Sequence, residues 1–313
     1  MIQHYDIKQF SGRNPVVTVG IFDGVHRGHR FILQKLRDAA RKSGGESTLV
    51  TLWPHPRTIL NQVDESFRLL NTMEEKRMML EEEGLDHLVV IPFTESFSKL
   101  SSCDFIREYL VEKIGIRHLI VGFNHRFGHD REGDFEKLTE CAGKYGFGIE
   151  KVPPLEENTG EVSSSRIRRL LQTGDVASAN RLLGWQYHFS GEVVGGSKLG
   201  TSIGFPTANI TLDEEIKLVP ADGVYAVLAR LKDKRYRGML NIGSRPTVNN
   251  DPKRKTIEVH LLDFEENIYN EHIQIQFVSR LREERKFRDI DTLKKQLNID
   301  RDNTRGLFLN TGE

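Results

Sequence analysis

Apolar residues recur along the first half of the chain in two alternating rhythms. Val16–Ile21 is a β-branched run that starts just after Pro15, and Phe31–Ala40 carries apolar residues at helical spacing until Gly44 and Gly45 stop it. Leu49–Trp53 reads as a second strand, closed by Pro54 and Pro56, which cannot donate to a ladder. Thr72 and Glu75 form a capping-box pattern ahead of a charged helix that ends at Gly84. Leu88–Ile91 and Leu119–Val121 read as buried strands. Phe105–Ile114, Asp134–Tyr145 and Ser165–Leu183 read as helices, the last broken near Gly174. Repeated β-α units of this kind predict a parallel sheet covered on both faces, with ligands bound at the carboxyl ends of its strands.

The rhythm changes at Gly184. Beyond Trp185 the segments are short and β-rich: His188–Val194, Val224–Arg230, Ile257–Phe264 and Ile273–Phe277. They predict a small antiparallel barrel, followed by one helix over Ile290–Leu297. The expected fold is therefore α/β plus β, with domains over residues 1–184 and 185–313.

Composition narrows the function. Lysine plus arginine equals aspartate plus glutamate at 45 each, so no charge excess points to nucleic acid. No apolar run approaches the ~20 residues of a membrane helix, and Met1–Phe10 lacks the apolar core of a signal peptide. Cys103 and Cys141 are too few for a disulfide framework and read as ordinary thiols of a reducing compartment. The expectation is a cytoplasmic protein with neither nucleic-acid nor membrane partners; the pattern implies no oligomeric state.

Four clusters carry candidate chemistry. Gly20–His29 leaves a strand and opens a helix, with His26 and His29 on one face of its first turn. There the two imidazoles join a helix N-terminus, which attracts phosphate. Either histidine alone would be unremarkable, and the pair could be half of a metal site; the strand-turn-helix context favours phosphate. Ser163–Arg168 could cap a helix, hold a triphosphate through its arginines, or do both. In the second half, Gly204–Asn209 is either a plain turn and strand or a glycine-led loop whose Thr207 and Asn209 offer oxygen ligands to Mg²⁺. Glu258 and His260 share one face of a strand that is apolar on the other, so Glu258 is either solvated or a general base. No GxxxxGK(S/T) sequence occurs.

These motifs together resemble the bacterial bifunctional riboflavin kinase/FMN adenylyltransferase family over about Pro15 to Leu297. His26-Arg27-Gly28-His29 is similar to the (H/T)xGH motif of nucleotidyltransferases, and Ser164, Ser165, Arg166 and Arg168 match an (S/T)S(S/T)RIR signature. Thr51–Pro56 resembles TFxPHP, and Val121–Gly128 resembles VGxxFxFG, with Arg131 following. Gly204–Asn209 matches GFPTAN, Asn241–Thr247 is similar to NIGxRPT, and Glu258–Phe264 resembles ExHLLDF. Leu281-Arg282 through Lys286-Phe287 is similar to LRxExKF.

The resemblance implies phosphorylation of riboflavin to FMN and adenylylation of FMN to FAD, with ATP as donor and Mg²⁺ as cofactor. It implies ATP contacts at His26, His29, Asn124, Arg131, Ser164, Ser165, Arg166, Arg168, Gly204, Thr207 and Asn209, with metal at Thr207 and Asn209. Flavin contacts are implied at Phe22, Asp23, Trp53, His55, Pro56, Arg282 and Phe287. Glu258 is the implied kinase base, and His29 the implied catalytic group of adenylylation. His125, Leu52, Thr201 and Asn270 depart from the family's usual residues. Retention of a single activity, or a non-catalytic flavin carrier, are the alternatives.

Overall fold

A computed structural model describes residues 1–60, 67–123, 134–157, 160–195, 199–244 and 255–311. The chain divides into two compact units, Met1–Ser164 and Ser165–Glu313.

The first unit is built on strands β1 (Ile2–His4), β2 (Val16–Val19), β3 (Ser47–Trp53), β4 (His87–Pro92), β5 (His118–Gly122) and β6 (Gly148–Val152). They form one six-stranded sheet in the order β1-β4-β3-β2-β5-β6, every neighbouring pair parallel. All four residues of β2 are buried, as a strand covered on both faces requires. The chain winds one way from β2 to β3 and β4, then returns to place β5 on the other side of β2. That reversal falls at the carboxyl end of β2, where sheets of this type take their ligands.

Helix α1 (Arg27–Ser43) ends at Gly44, whose left-handed φ of 61° lets the Gly45 N–H reach back to Ala40 O at 2.9 Å. Short α2 is Pro56–Ile59. Helix α3 (Met73–Glu82) opens with the expected capping box: the Thr72 hydroxyl accepts from Glu75 N, and the Glu75 carboxylate accepts from Thr72 N. After α4 (Glu95–Ser98) comes α5 (Ser102–Phe105), which runs on as a π-helical stretch over Ile106–Ile114. Helix α6 is Phe135–Tyr145, and the short hairpin of β7 (Glu156–Glu157) and β8 (Gly160–Glu161) follows β6. Cys103 and Cys141, 38 positions apart in sequence, meet as free thiols with 3.2 Å between their sulfurs.

Helix α7 (Ser164–Gln172) crosses the division between the units, and α8 is Val176–Leu183. Asn180 of α8 binds Tyr187 N and Phe277 O, and Leu171 O of α7 accepts from Ala221 N, so these helices are tied to the strands that follow. Those strands are β9 (His188–Val194), β10 (Ala208–Leu212), β11 (Gly223–Leu231), β12 (Lys234–Ser244), β13 (Lys255–Leu261) and β14 (His272–Arg282), with the single turn α9 (Leu199–Ser202) before β10. They close into an antiparallel barrel in the order β10-β13-β12-β11-β14-β9. Helix α10 (Ile290–Thr311) lies against it, with Phe308 buried under Arg237.

The α/β plus β architecture is as expected, and several boundaries differ. The first strand stops at Val19 rather than Ile21, because Phe22 turns left-handed with φ 51°. The strand expected to reach Phe264 ends at Leu261, since Asp263 takes φ 56°. The last helix continues past Leu297 to Thr311. Strand β12 has no counterpart among the expected strands, because Lys234, Arg235 and Arg237 interrupt its apolar alternation.

Candidate functional site

Among the described residues, two clusters of chemistry-bearing side chains form, one in each unit. In the first, the turn between β2 and α1 holds Phe22, Gly24 and Val25 at φ 51°, 93° and 32°. Non-glycine residues persist in that region only where the surroundings hold them. Here the Asp23 carboxylate accepts from Leu70 N and Asn71 N, and the Asn71 side-chain oxygen accepts from Gly24 N. Ser164 Oγ donates to Asp23 O at 2.8 Å, and Lys76 Nζ donates to Ile21 O at 2.7 Å.

So held, the turn delivers the two histidines. His26 is the N-cap of α1 and accepts from His29 N through Nδ1. The His26 and His29 rings stack at 3.6 Å and 15°, and Phe22 stacks on the far side of His29 at 4.6 Å. A Cβ at Gly28 would meet the His26 ring at 3.2 Å, a contact tight enough that the ring would have to shift by a few tenths of an ångström. Burial, then His26, then Lys76 hold His29 well below the ordinary imidazole range, so it is neutral at pH 7. A neutral imidazole keeps one N–H to donate, and His29 Nδ1 is buried with no hydrogen-bond partner among the described residues.

The other N-terminal residues take different places. Asp23 is turned to the chain's own backbone, which makes it a tie between the turn and residues 70–71. Trp53 ends β3 and is joined to Pro54 by a cis peptide bond. His55 caps α2 by accepting from Arg57 N, Pro56 is the first residue of that helix, and Phe67 packs on the His55 ring at 5.0 Å. Ser164 and Arg168 are four apart on one face of α7, Arg168 buried, Arg166 half-buried and Ser165 exposed. Asn124, His125 and Arg131 lie outside the described residues.

The second cluster lies on the outside of the barrel. Ile257, Val259 and Leu261 of β13 are buried, so Glu258 and His260 stand on the opposite face. Register places Glu258 directly between Asn209 of β10 and Asn241 of β12. Directly paired residues share a face, so the three form a row across the sheet. Thr207 Oγ1 comes to 3.5 Å from Glu258 Oε2. The loop before β10 is seated by Phe205, buried with Ile203, Met239 and Leu262, and turns at Gly204, φ 85°. His260 Nδ1 lies 2.8 Å from Pro206 O and holds the same loop. A threonine hydroxyl, an amide oxygen and a carboxylate are the hard donors Mg²⁺ accepts, so the residues present fit that ion.

Arg282, an expected flavin contact, is held by α10 in the structure. Its guanidinium grips the buried Asp300 of α10, Nε and Nη2 each 2.9 Å from Oδ2, while Gln296 donates to Oδ1. Arg282 thus fastens β14 to α10, and Phe287 packs against Arg282 and Arg285. Arg245–Thr247 of the expected NIGxRPT loop fall outside the described residues. Asn270, in place of glycine, keeps a left-handed φ of 63°, which asparagine tolerates better than other side chains. Lys76 was missed in the sequence because nothing in a charged helix marks one lysine as buried.

The parallel sheet with its histidine pair and the closed barrel with its Thr-Asn-Glu cluster belong to a two-part transferase, as two family models show. A family model described as FAD synthetase matches residues 8–166, and one described as riboflavin kinase matches residues 183–308. The Escherichia coli K12 protein named bifunctional riboflavin kinase/FMN adenylyltransferase is 37% identical, over 97% of this chain and 96% of its own. The Bacillus subtilis protein of the same name is 36% identical, over 98% and 96%. The chain belongs to the bifunctional riboflavin kinase/FMN adenylyltransferase family. A Streptococcus pneumoniae crystal structure described as a macrolide-efflux protein superposes with a TM-score of 0.88 at 31% identity, covering 97% of this chain and 98% of that one. That description belongs to the other protein; among the described residues here no helix is long and apolar enough to cross a membrane.

Proposed function

We propose that the barrel unit transfers the γ-phosphoryl group of ATP to riboflavin, and that the sheet unit adenylylates the resulting FMN with release of pyrophosphate. The observation that carries the kinase half is the row Asn209–Glu258–Asn241 with the Thr207 hydroxyl at 3.5 Å from the carboxylate. Thr207 and Asn209 would hold Mg²⁺, which when bound neutralises charge on the nucleotide phosphates. Glu258 accepts the proton of the attacking flavin hydroxyl, and Gly204 lets the loop backbone approach the nucleotide.

In the sheet unit, His26 and His29 with the N-terminus of α1 bind the ATP phosphates and stabilise the charge that develops at the α-phosphorus. The FMN phosphate oxygen attacks there, and positioning supplies most of the rate. Ser164, Ser165, Arg166 and Arg168, together with Asn124 and Arg131, complete the nucleotide contacts in this reading. Phe22, Trp53, His55 and Pro56 line the flavin side, and Asp23 supports them through the backbone. Arg282 and Phe287 are the flavin contacts of the kinase in this reading. Residues 1–184 form the adenylyltransferase domain and 185–313 the kinase domain. The riboflavin kinase match, which begins at residue 183, agrees with the second bound, whereas the FAD synthetase match ends at 166 and the compact units divide after Ser164. The free thiols Cys103 and Cys141 suit a cytoplasmic setting.

The test is Glu258→Gln, which keeps the shape and removes the base. Riboflavin phosphorylation should fall by about 10²–10⁴-fold, while added FMN is still converted to FAD. A Glu258→Gln enzyme that phosphorylates riboflavin at the wild-type rate would refute the assignment.

A further inference from the structure

Lys76 belongs to none of the motifs that mark the chain's chemistry. It sits on α3, is 1% exposed, and donates to Ile21 O at 2.7 Å with its ammonium 5.7 Å from the Trp53 ring. Burying an ammonium is costly unless the site repays it, and a packed helix face could have used leucine or methionine here. The carbonyl it grips opens the turn in which Phe22, Gly24 and Val25 are left-handed. The other side chains holding that turn are the hydroxyls of Thr51 and Ser164, the Asn71 amide, and the Asp23 carboxyl group, which accepts from Leu70 N. Lys76 brings a cation to this set.

We propose that Lys76 is a positioning residue for adenylyl transfer: it pins the turn that presents the His26–His29 stack and supplies a fixed positive charge beneath it. This rests on the reading that the first unit adenylylates FMN. The charged and titratable groups facing the ammonium are Asp23 from the turn and His29 from α1, with His26 stacked on His29. Asp23 favours the charged ammonium, whereas burial lowers its pKa to about 8. The ammonium in turn disfavours protonation of His29, which leaves that ring a neutral N–H donor. Lys76 therefore couples the shape of the turn to its field, and above pH 8 the field is lost.

The experiment follows FAD formation from added FMN and ATP across neutral to alkaline pH, with riboflavin phosphorylation as the control for enzyme amount and Trp53 fluorescence in a Trp185→Phe background as the control for folding of the first unit. Lys76→Met should lower kcat for FAD formation by about 10²-fold and leave phosphorylation unchanged. Lys76→Arg keeps the charge, so it should retain FAD formation and shift the alkaline fall, near pH 8 in the wild type, to higher pH. A Lys76→Met enzyme with wild-type FAD formation overturns the proposal, as does an alkaline fall that stays near pH 8 in Lys76→Arg. If Lys76→Met loses both activities, Lys76→Arg alone decides. A wild-type protein that makes no FAD would remove the adenylylation reading instead. NMR titration of His29 then decides for Lys76: its pKa should rise in Lys76→Met, and an unchanged value overturns the role.

Discussion

Replacing Lys76 by methionine should change how the stability of the first unit depends on pH, by an amount the structure sets. Burial lowers the ammonium from its ordinary 10.5 to about 8, so keeping it charged at neutral pH costs the fold about 3 kcal/mol. The folded pKa lies below the unfolded one, so between pH 8 and 10.5 the unfolded chain binds more protons and this group's contribution to stability rises with pH. Below pH 8 the penalty is present in full, and above 10.5 it is gone. Lys76→Met has nothing to titrate. It escapes the penalty but forfeits the bond to Ile21 O, worth about 1–3 kcal/mol. At pH 7 the variant should therefore equal the wild type or exceed it by up to ~2 kcal/mol. The difference should then move by about 3 kcal/mol in favour of the wild type between pH 8 and 10.5. Urea unfolding in a Trp185→Phe background leaves Trp53, in the first unit, as the fluorescent reporter. A difference between wild type and variant that stays constant across this pH range would refute the reasoning.

Other outcomes follow from particular contacts. Gly28→Ala places a methyl group 3.2 Å from the His26 ring, so FAD formation from added FMN should fall by about 10-fold or more while riboflavin phosphorylation persists. Asp300→Ala strips the partner from Arg282 and should destabilise the second unit by about 3–5 kcal/mol, read from Trp185 fluorescence during urea unfolding. Thr207→Val removes an oxygen donor at nearly constant volume; the Mg²⁺ concentration for half-maximal riboflavin phosphorylation should rise, with FAD formation from FMN unaffected.

Both architectures were legible because each rests on local pattern. The all-buried Val16–Val19 and the capping box at Thr72 are short-range features, and the Glu258/His260 alternation needs only a period of two. The motifs likewise placed His26, His29, Thr207, Asn209 and Glu258 in two clusters. What stayed hidden depends on distant partners. The chain positions carry no sign that Arg282 grips Asp300, 18 residues on, or that Asp23 answers Leu70 and Asn71, 47 and 48 residues away. Lys76 escaped notice for the same reason: its carbonyl partner is 55 residues earlier. Strand β12 was obscured by its own charge: Lys234 and Arg235, exposed on opposite faces at its start, leave no alternation to read there.

The most direct test of the central claim incubates the purified protein with riboflavin, ATP and Mg²⁺ and separates the flavins over time. FMN should appear first and FAD after it, and Glu258→Gln should block the first product while still converting added FMN. A wild-type protein that yields no phosphorylated flavin would contradict the account, and FMN that never proceeds to FAD would contradict the role given to the first unit.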